Sequence, residues 1–81
     1  MATPGAIEAL EAANDNSLEF ITRHLTGDWG DLVEEDKQEN VLSLEKGFRL
    51  LSAYKLSNGT KIWIITEADR SATTILLPSE Y

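Results

Sequence analysis

The sequence predicts an α+β fold, two or three helices packed on a three-stranded antiparallel β-meander, and three observations lead there. Up to Gly47 apolar residues recur at three- and four-residue spacings; beyond it they alternate. Asn58-Gly59, the strongest short-range hairpin signal, separates two alternating runs and is expected to form a two-residue turn. All helical pattern precedes all strand pattern, which sets helices on one face of a sheet instead of interleaving them with parallel strands. The 81 residues suffice for a single domain, 1–81, with a helical part at 3–46 and the meander at 48–77.

Thr3 is a suitable N-cap with Pro4 at the first helical position. Ile7, Leu10 and Asn14 then trace one side of a short helix, with Ala6, Ala9 and Ala13 beside it. "NDN" at 14–16 interrupts the pattern. Ser17 caps a second helix with Leu18, Ile21 and Leu25 on one face, Phe20 and His24 on its flank, and Gly27 suited to its C-terminus. A third helix is expected over about 34–46. Val33, Lys37, Val41, Leu44 and Phe48 form its stripe with Asn40 alongside, and Gly47 caps it. "FRLLSAYKL" places Phe48, Leu50, Ser52, Tyr54 and Leu56 on one side of a first strand. "TKIWIIT", apolar on both faces, reads as the central strand. "EADRSA" is a polar turn, "TTILL" the third strand, and Pro78 its end.

The stretch "GDWGDLVEEDKQEN", residues 27–40, concentrates the charge. The chain carries −7 overall, of which residues 28–39 hold six acids against Lys37 alone, while residues 40–81 are nearly balanced. Two readings compete for Glu34, Glu35 and Asp36: a solvated helix start whose carboxylates favour the positive end of the helix dipole, or an electronegative recognition face. Glu35 and Glu39 share one helix side, and Asp31 and Asp28 extend that line. Carboxylates so placed lie about 6 Å apart, near the phosphate spacing of a nucleic acid strand. Trp29, between Asp28 and Gly30, either covers the edge of the core or anchors another protein. The candidate protein-binding residues are therefore Asp28, Trp29, Asp31, Glu34, Glu35, Asp36 and Glu39.

Other classes of function find little support. An acidic chain lacks the basic face that nucleic acid phosphate or anionic lipid requires, so direct nucleic acid binding and membrane binding are not expected; a basic protein surface is. The apolar runs fall short of the ~18–20 residues that span a bilayer. "MATPGAIEAL" has no secretory pattern, and no cysteine points to an oxidising compartment. A cytoplasmic protein is expected. His24, the only histidine, lies on a helix flank far in sequence from the Glu67, Asp69 and Ser71 of "TEADRS", so no triad is legible. Glu67 and Asp69 lack further ligands for a metal, no phosphate loop occurs, and no cofactor is called for. Arg70 is expected to pair with Glu67, Asp69 or an acid of the third helix.

Together, "ATPGAIEAL", "GDWGDLVEEDKQEN", "GFRLLSAY" and "GTKIWIITEADRSATTILLPSEY" resemble a family of small, acidic, uncharacterised bacterial proteins labelled "plasmid-related protein", carried on plasmids and integrative elements. The likeness spans nearly the whole chain. The family's other label, a type I restriction subunit, finds neither the S-adenosylmethionine glycine loop nor the Asn/Asp-Pro-Pro-aromatic motif here. The resemblance implies a longer native N-terminus and an accessory role on a mobile element. The expected function is accordingly a non-enzymatic protein that binds another protein, in its sharpest form a counter-defence inhibitor, anti-restriction or anti-CRISPR, whose acidic face blocks a nucleic-acid groove. The alternative is an oligomeric structural or regulatory module, a homodimer paired through an exposed strand edge.

Overall fold

Thr3 opens the first helix as its residue type dictates: its hydroxyl accepts from the Ala6 amide (3.2 Å), and Pro4 follows at the first helical position. The computed structural model describes residues 1–81. Helices α1 (Pro4–Ala13), α2 (Ser17–Leu25) and α3 (Glu34–Lys46) precede strands β1 (Leu50–Lys55), β2 (Lys61–Thr66) and β3 (Thr73–Leu76), and a short 3₁₀ turn spans Pro78–Glu80. The sheet order is β1-β2-β3, antiparallel throughout, with Tyr54 opposite Ile62, Ser52 opposite Ile64, and Ile64 opposite Ile75. This is the α+β meander that the change of period predicts.

The faces that the helices bury differ from those their apolar spacing suggests. α1 packs through Ala6 and Leu10, while Ile7 is exposed. Small alanines let the backbone approach the sheet closely, and Ala2, Ala9 and Ala13 join the core from its margin. α2 is capped by Asn16, not Ser17, through its side-chain oxygen and the Leu18 amide (3.0 Å). It buries Phe20 and His24 and leaves Leu18 and Leu25 outside. Phe20 stacks obliquely on Tyr54 at 5.5 Å, and His24 is drawn in by two hydroxyls of the sheet. The core beneath joins Tyr54, Leu56, Ile62, Ile64 and Ile75.

α3 departs furthest. Its buried residues are Asn40 and Ser43, and the expected stripe of Val33, Val41, Leu44 and Phe48 is solvent-exposed. The cause is the outer edge of β1. The Asn40 amide donates to the Leu51 carbonyl (2.6 Å) and accepts from the Leu51 N–H (3.1 Å), so one side chain replaces a missing strand residue. An edge peptide group left dry costs roughly 1–3 kcal/mol, enough to set which side of the helix turns inward.

The remaining edge groups are covered as well. "DWGD" runs past β1: the Trp29 carbonyl accepts from the Ala53 amide (3.2 Å), and the Asp31 amide donates to the Ala53 carbonyl (2.7 Å). Only glycine fits between these contacts, since a Cβ on Gly30 would lie 2.1 Å from the Ala53 oxygen and 2.5 Å from the Tyr54 ring, at φ +74°. On the opposite edge Ile75 is paired on both its amide and carbonyl with Met1 and Thr3. The open edge that a strand-paired homodimer would use is thus occupied along Leu51–Ala53 and at Ile75.

The hairpin at Asn58-Gly59 forms, but as a three-residue loop and not the expected two-residue turn. The Leu56 amide donates to the Thr60 carbonyl (2.8 Å) and the Gly59 amide to the Leu56 carbonyl (2.9 Å). Gly59 has φ +87°, whereas Asn58 stays at negative φ and uses its side chain to accept from Thr60 N–H (3.1 Å). A two-residue type I′ turn needs positive φ at both positions.

Candidate functional site

Five of the seven predicted site residues lie in the first turns of α3 and its leading loop. Glu34, Glu35 and Asp36 fill the first turn of α3, Glu39 lies one turn further, and Asp31 stands in the preceding loop; all five are exposed. None is ion-paired, because the one salt bridge of the molecule joins Arg23 to Asp28 (2.7 Å). Val33, at the N-cap, offers no side-chain hydrogen bond. The free N–H groups of that turn therefore rely on Glu34, Glu35 and Asp36 for electrostatic compensation. Asp31 precedes the helix and Glu39 lies beyond its first turn, so helix capping accounts for neither.

Asp28 is held apart from this group. Its carboxylate receives Arg23 and the Gly30 amide (3.3 Å), and the Arg23 hydrogen bond holds its pKa below the usual carboxylate range. Its carbonyl accepts from the Tyr54 hydroxyl (2.5 Å), while the Arg23 guanidinium lies 4.7 Å over the Tyr54 ring. Asp28 thus pins the loop to the core. Trp29 is half-buried and forms a wall of a cleft of about 240 Å³ between the C-terminal ends of α2 and α3. It neither covers the core edge alone nor stands free: its backbone is the covering element and its side chain faces the cleft.

His24 and Ser52 form the grouping that sequence spacing did not reveal. His24 Nδ1 lies 2.5 Å from the Ser52 hydroxyl, and Nε2 lies 2.8 Å from the Thr66 hydroxyl, which in turn meets Thr73 at 2.9 Å. A neutral imidazole donates through one nitrogen and accepts through the other, and burial pushes its pKa down, as this environment requires. The available signal was the alternation that sets Ser52 on the same side as Tyr54 and Leu56; the missing one was the rotation of α2. Ser52 is completely buried, no carboxylate orients the imidazole, and the other ring nitrogen is engaged by Thr66. This is a packed polar network inside the core, with every buried side-chain polar atom satisfied.

Arg70 also differs from expectation. Its guanidinium donates to the carbonyls of Phe48 (2.6 Å), Glu67 (3.2 Å), Ala68 (3.2 Å) and Ser43 (3.2 Å), and to no carboxylate. The residue sits at φ +63°. That conformation costs about 1–2 kcal/mol for an L-residue, offset by a clamp joining the β2–β3 turn to the C-terminal end of α3. No cluster of side chains suited to hold a metal ion occurs, and no helix is long and apolar enough to cross a membrane. No protein-family model, curated protein or solved structure matches the chain.

Proposed function

We propose that the protein is a non-enzymatic binding module that docks on the basic surface of another protein through the acidic face of α3 and its leading loop. The observation that carries this reading is the set of unpaired, exposed carboxylates extending past the helix start, Asp31 and Glu39 above all. Helix capping needs charge only in the first turn; a recognition surface needs it across the face. The resemblance to accessory proteins of mobile elements supports a partner that handles nucleic acid, and hence a counter-defence inhibitor that occupies its phosphate-binding groove. The non-enzymatic part of the reading is supported by Ser52, which lies too deep to meet a substrate. An edge-paired oligomer is the weaker reading, since it would have to displace the Asn40 amide or the "DWGD" loop from β1, or Met1 and Thr3 from β3.

The double variant Glu35→Lys/Glu39→Lys tests this. After affinity capture of a basic nuclease or surveillance complex from a host lysate, association rate and thermal stability are measured on the same variant. Recognition by the face predicts association slowed by an order of magnitude or more, a steep salt dependence in the parent chain, and an intact fold. Association unchanged alongside a loss of stability would sink the proposal and leave only the helix-capping account.

A further inference from the structure

The acidic face leaves one feature unexplained: the apolar stripe that α3 turns away from β1. Val33, Val41, Leu44 and Phe48 are 52–64% exposed. Val41 and Leu44 belong to the helix itself, Val33 is its N-cap, and Phe48 lies just past the Gly47 cap. With Lys37 they follow one another at spacings of four, four, three and four residues, the repeat of a helix-pairing seam. The inward side of α3 is fixed by Asn40 and Ser43, so this stripe stays outside. At 3.6 residues per turn, Glu35 and Glu39 fall on the far side of the helix from Lys37 and Leu44.

Charge along the seam decides what covers it. Lys37 stands four residues before Val41, and Glu45 four residues after it. Neither is ion-paired within the chain, since the one salt bridge joins Arg23 to Asp28. A two-fold axis through Val41 lays α3 antiparallel to its own copy. Lys37 then comes level with Glu45 of the second copy, and by symmetry the pair forms twice. Val41 meets Val41 at the centre, and Leu44 packs beside the apolar stem of Lys37 from the other copy. A parallel pair would instead set Lys37 against Lys37 and Glu45 against Glu45. The net charge of −7 opposes association. Yet Glu35 and Glu39 of the two copies point outward across two helix diameters, roughly 20 Å, which exceeds the screening length of about 8–10 Å.

We propose that α3 pairs antiparallel with the α3 of a second copy through Val41 and Leu44, in a two-fold dimer registered by two Lys37–Glu45 ion pairs. The helix has 13 residues and is about 20 Å long. Its contact falls below the roughly 800 Å² per partner of a stable complex, so the dimer is transient. Both acidic faces remain free and turned outward, so the pairing does not depend on the reading of those carboxylates as a recognition surface.

Sedimentation equilibrium of the full chain tests this. The expected result is a monomer–dimer equilibrium with a dissociation constant on the order of 0.1 mM. Val41→Asp should weaken it by about tenfold or more; Val41 is exposed, so the melting temperature should hold. Lys37→Glu and Glu45→Lys should each weaken it by about threefold or more, because like charges then face one another. The double variant Lys37→Glu/Glu45→Lys should restore the dimer, and so should an equal mixture of the two single variants. A chain that stays monomeric up to about 1 mM would overturn the proposal, even if its Val41 and Leu44 amides shift when a basic amphipathic peptide is added; the seam would then belong to a partner. Dimerisation indifferent to Val41→Asp would also overturn it, and single-variant losses without rescue would overturn the antiparallel register. Glu35→Lys/Glu39→Lys, on the far side of the helix, should not weaken the dimer whatever it does to partner association; a loss there would overturn the seam.

Discussion

A single imidazole makes the interior sensitive to pH. His24 is held neutral between Ser52 and Thr66, and burial lowers its pKa from the ordinary value near 6.5. In the unfolded chain the same group protonates at that ordinary value. Below it the unfolded state binds more protons, so stability falls as pH drops from about 6.5 toward the folded value and is fully retained above. Asp28, Asp69 and Glu80 are each held below the usual carboxylate range by hydrogen bonds, so their contributions disappear only at lower pH. Urea denaturation should therefore show stability falling as pH drops below about 6.5, with a slope bounded by about 1.4 kcal/mol per pH unit for a single proton. His24→Gln, which keeps one donor and one acceptor, should flatten it. Gly30 is the second residue on which much depends. Adding a methyl group meets the Ala53 carbonyl at a positive φ, so Gly30→Ala should cost about 2–5 kcal/mol. Gly59→Ala, at φ +87° with nothing within 4 Å, should cost only about 1–2 kcal/mol by the same denaturation measurement.

At the scale of the element, α3 shows how hydrogen bonding overrides apolar spacing. Its boundaries were legible in the sequence, because the acidic first turn and Gly47 mark them. Its buried face was not, because the decisive partner is the unpaired backbone of Leu51, and a one-dimensional pattern does not display which strand will have a free edge. The same blindness explains α2, whose orientation answers to the Ser52 and Thr66 hydroxyls, and Arg70, whose carbonyl partners come from three separate segments. Asn40→Leu should remove the amide that covers β1, at a cost of about 1–3 kcal/mol. It should also increase concentration-dependent self-association, since an uncovered edge is a template for another chain. Analytical ultracentrifugation of the variant against the parent chain measures this directly.

For the whole molecule, the meander and the helices-before-strands order were readable because each rests on local spacing or turn chemistry: the period change at Gly47, the glycine of the hairpin loop, the two-faced apolar run of β2. The acidic residues of the candidate face could be named from composition alone. Their division into an isolated Asp28 and a free group of five could not, because it depends on Arg23 arriving from α2 and on Tyr54 rising from β1. The cleft was invisible for a similar reason. Leu25 and Leu44 each belong to an expected core stripe, and only the rotation of both helices turns them toward a shared cavity at the surface. The −7 charge thus shares the surface with exposed apolar side chains.

The covered strand edges determine what such a surface is able to tolerate. A protein that shows bare leucine and valine along one helix, and a phenylalanine just past its end, invites indiscriminate clumping, and the most damaging route is backbone zipping, which ignores side-chain identity. Here the amide of Asn40, the loop around Gly30 and the residues flanking Ala2 withhold the peptide groups of Leu51, Ala53 and Ile75 from any newcomer. Stickiness is thereby confined to side chains, where shape and charge discriminate between neighbours. The same glycine that lets the loop lie flat against Ala53 is what makes an oily helix safe to display.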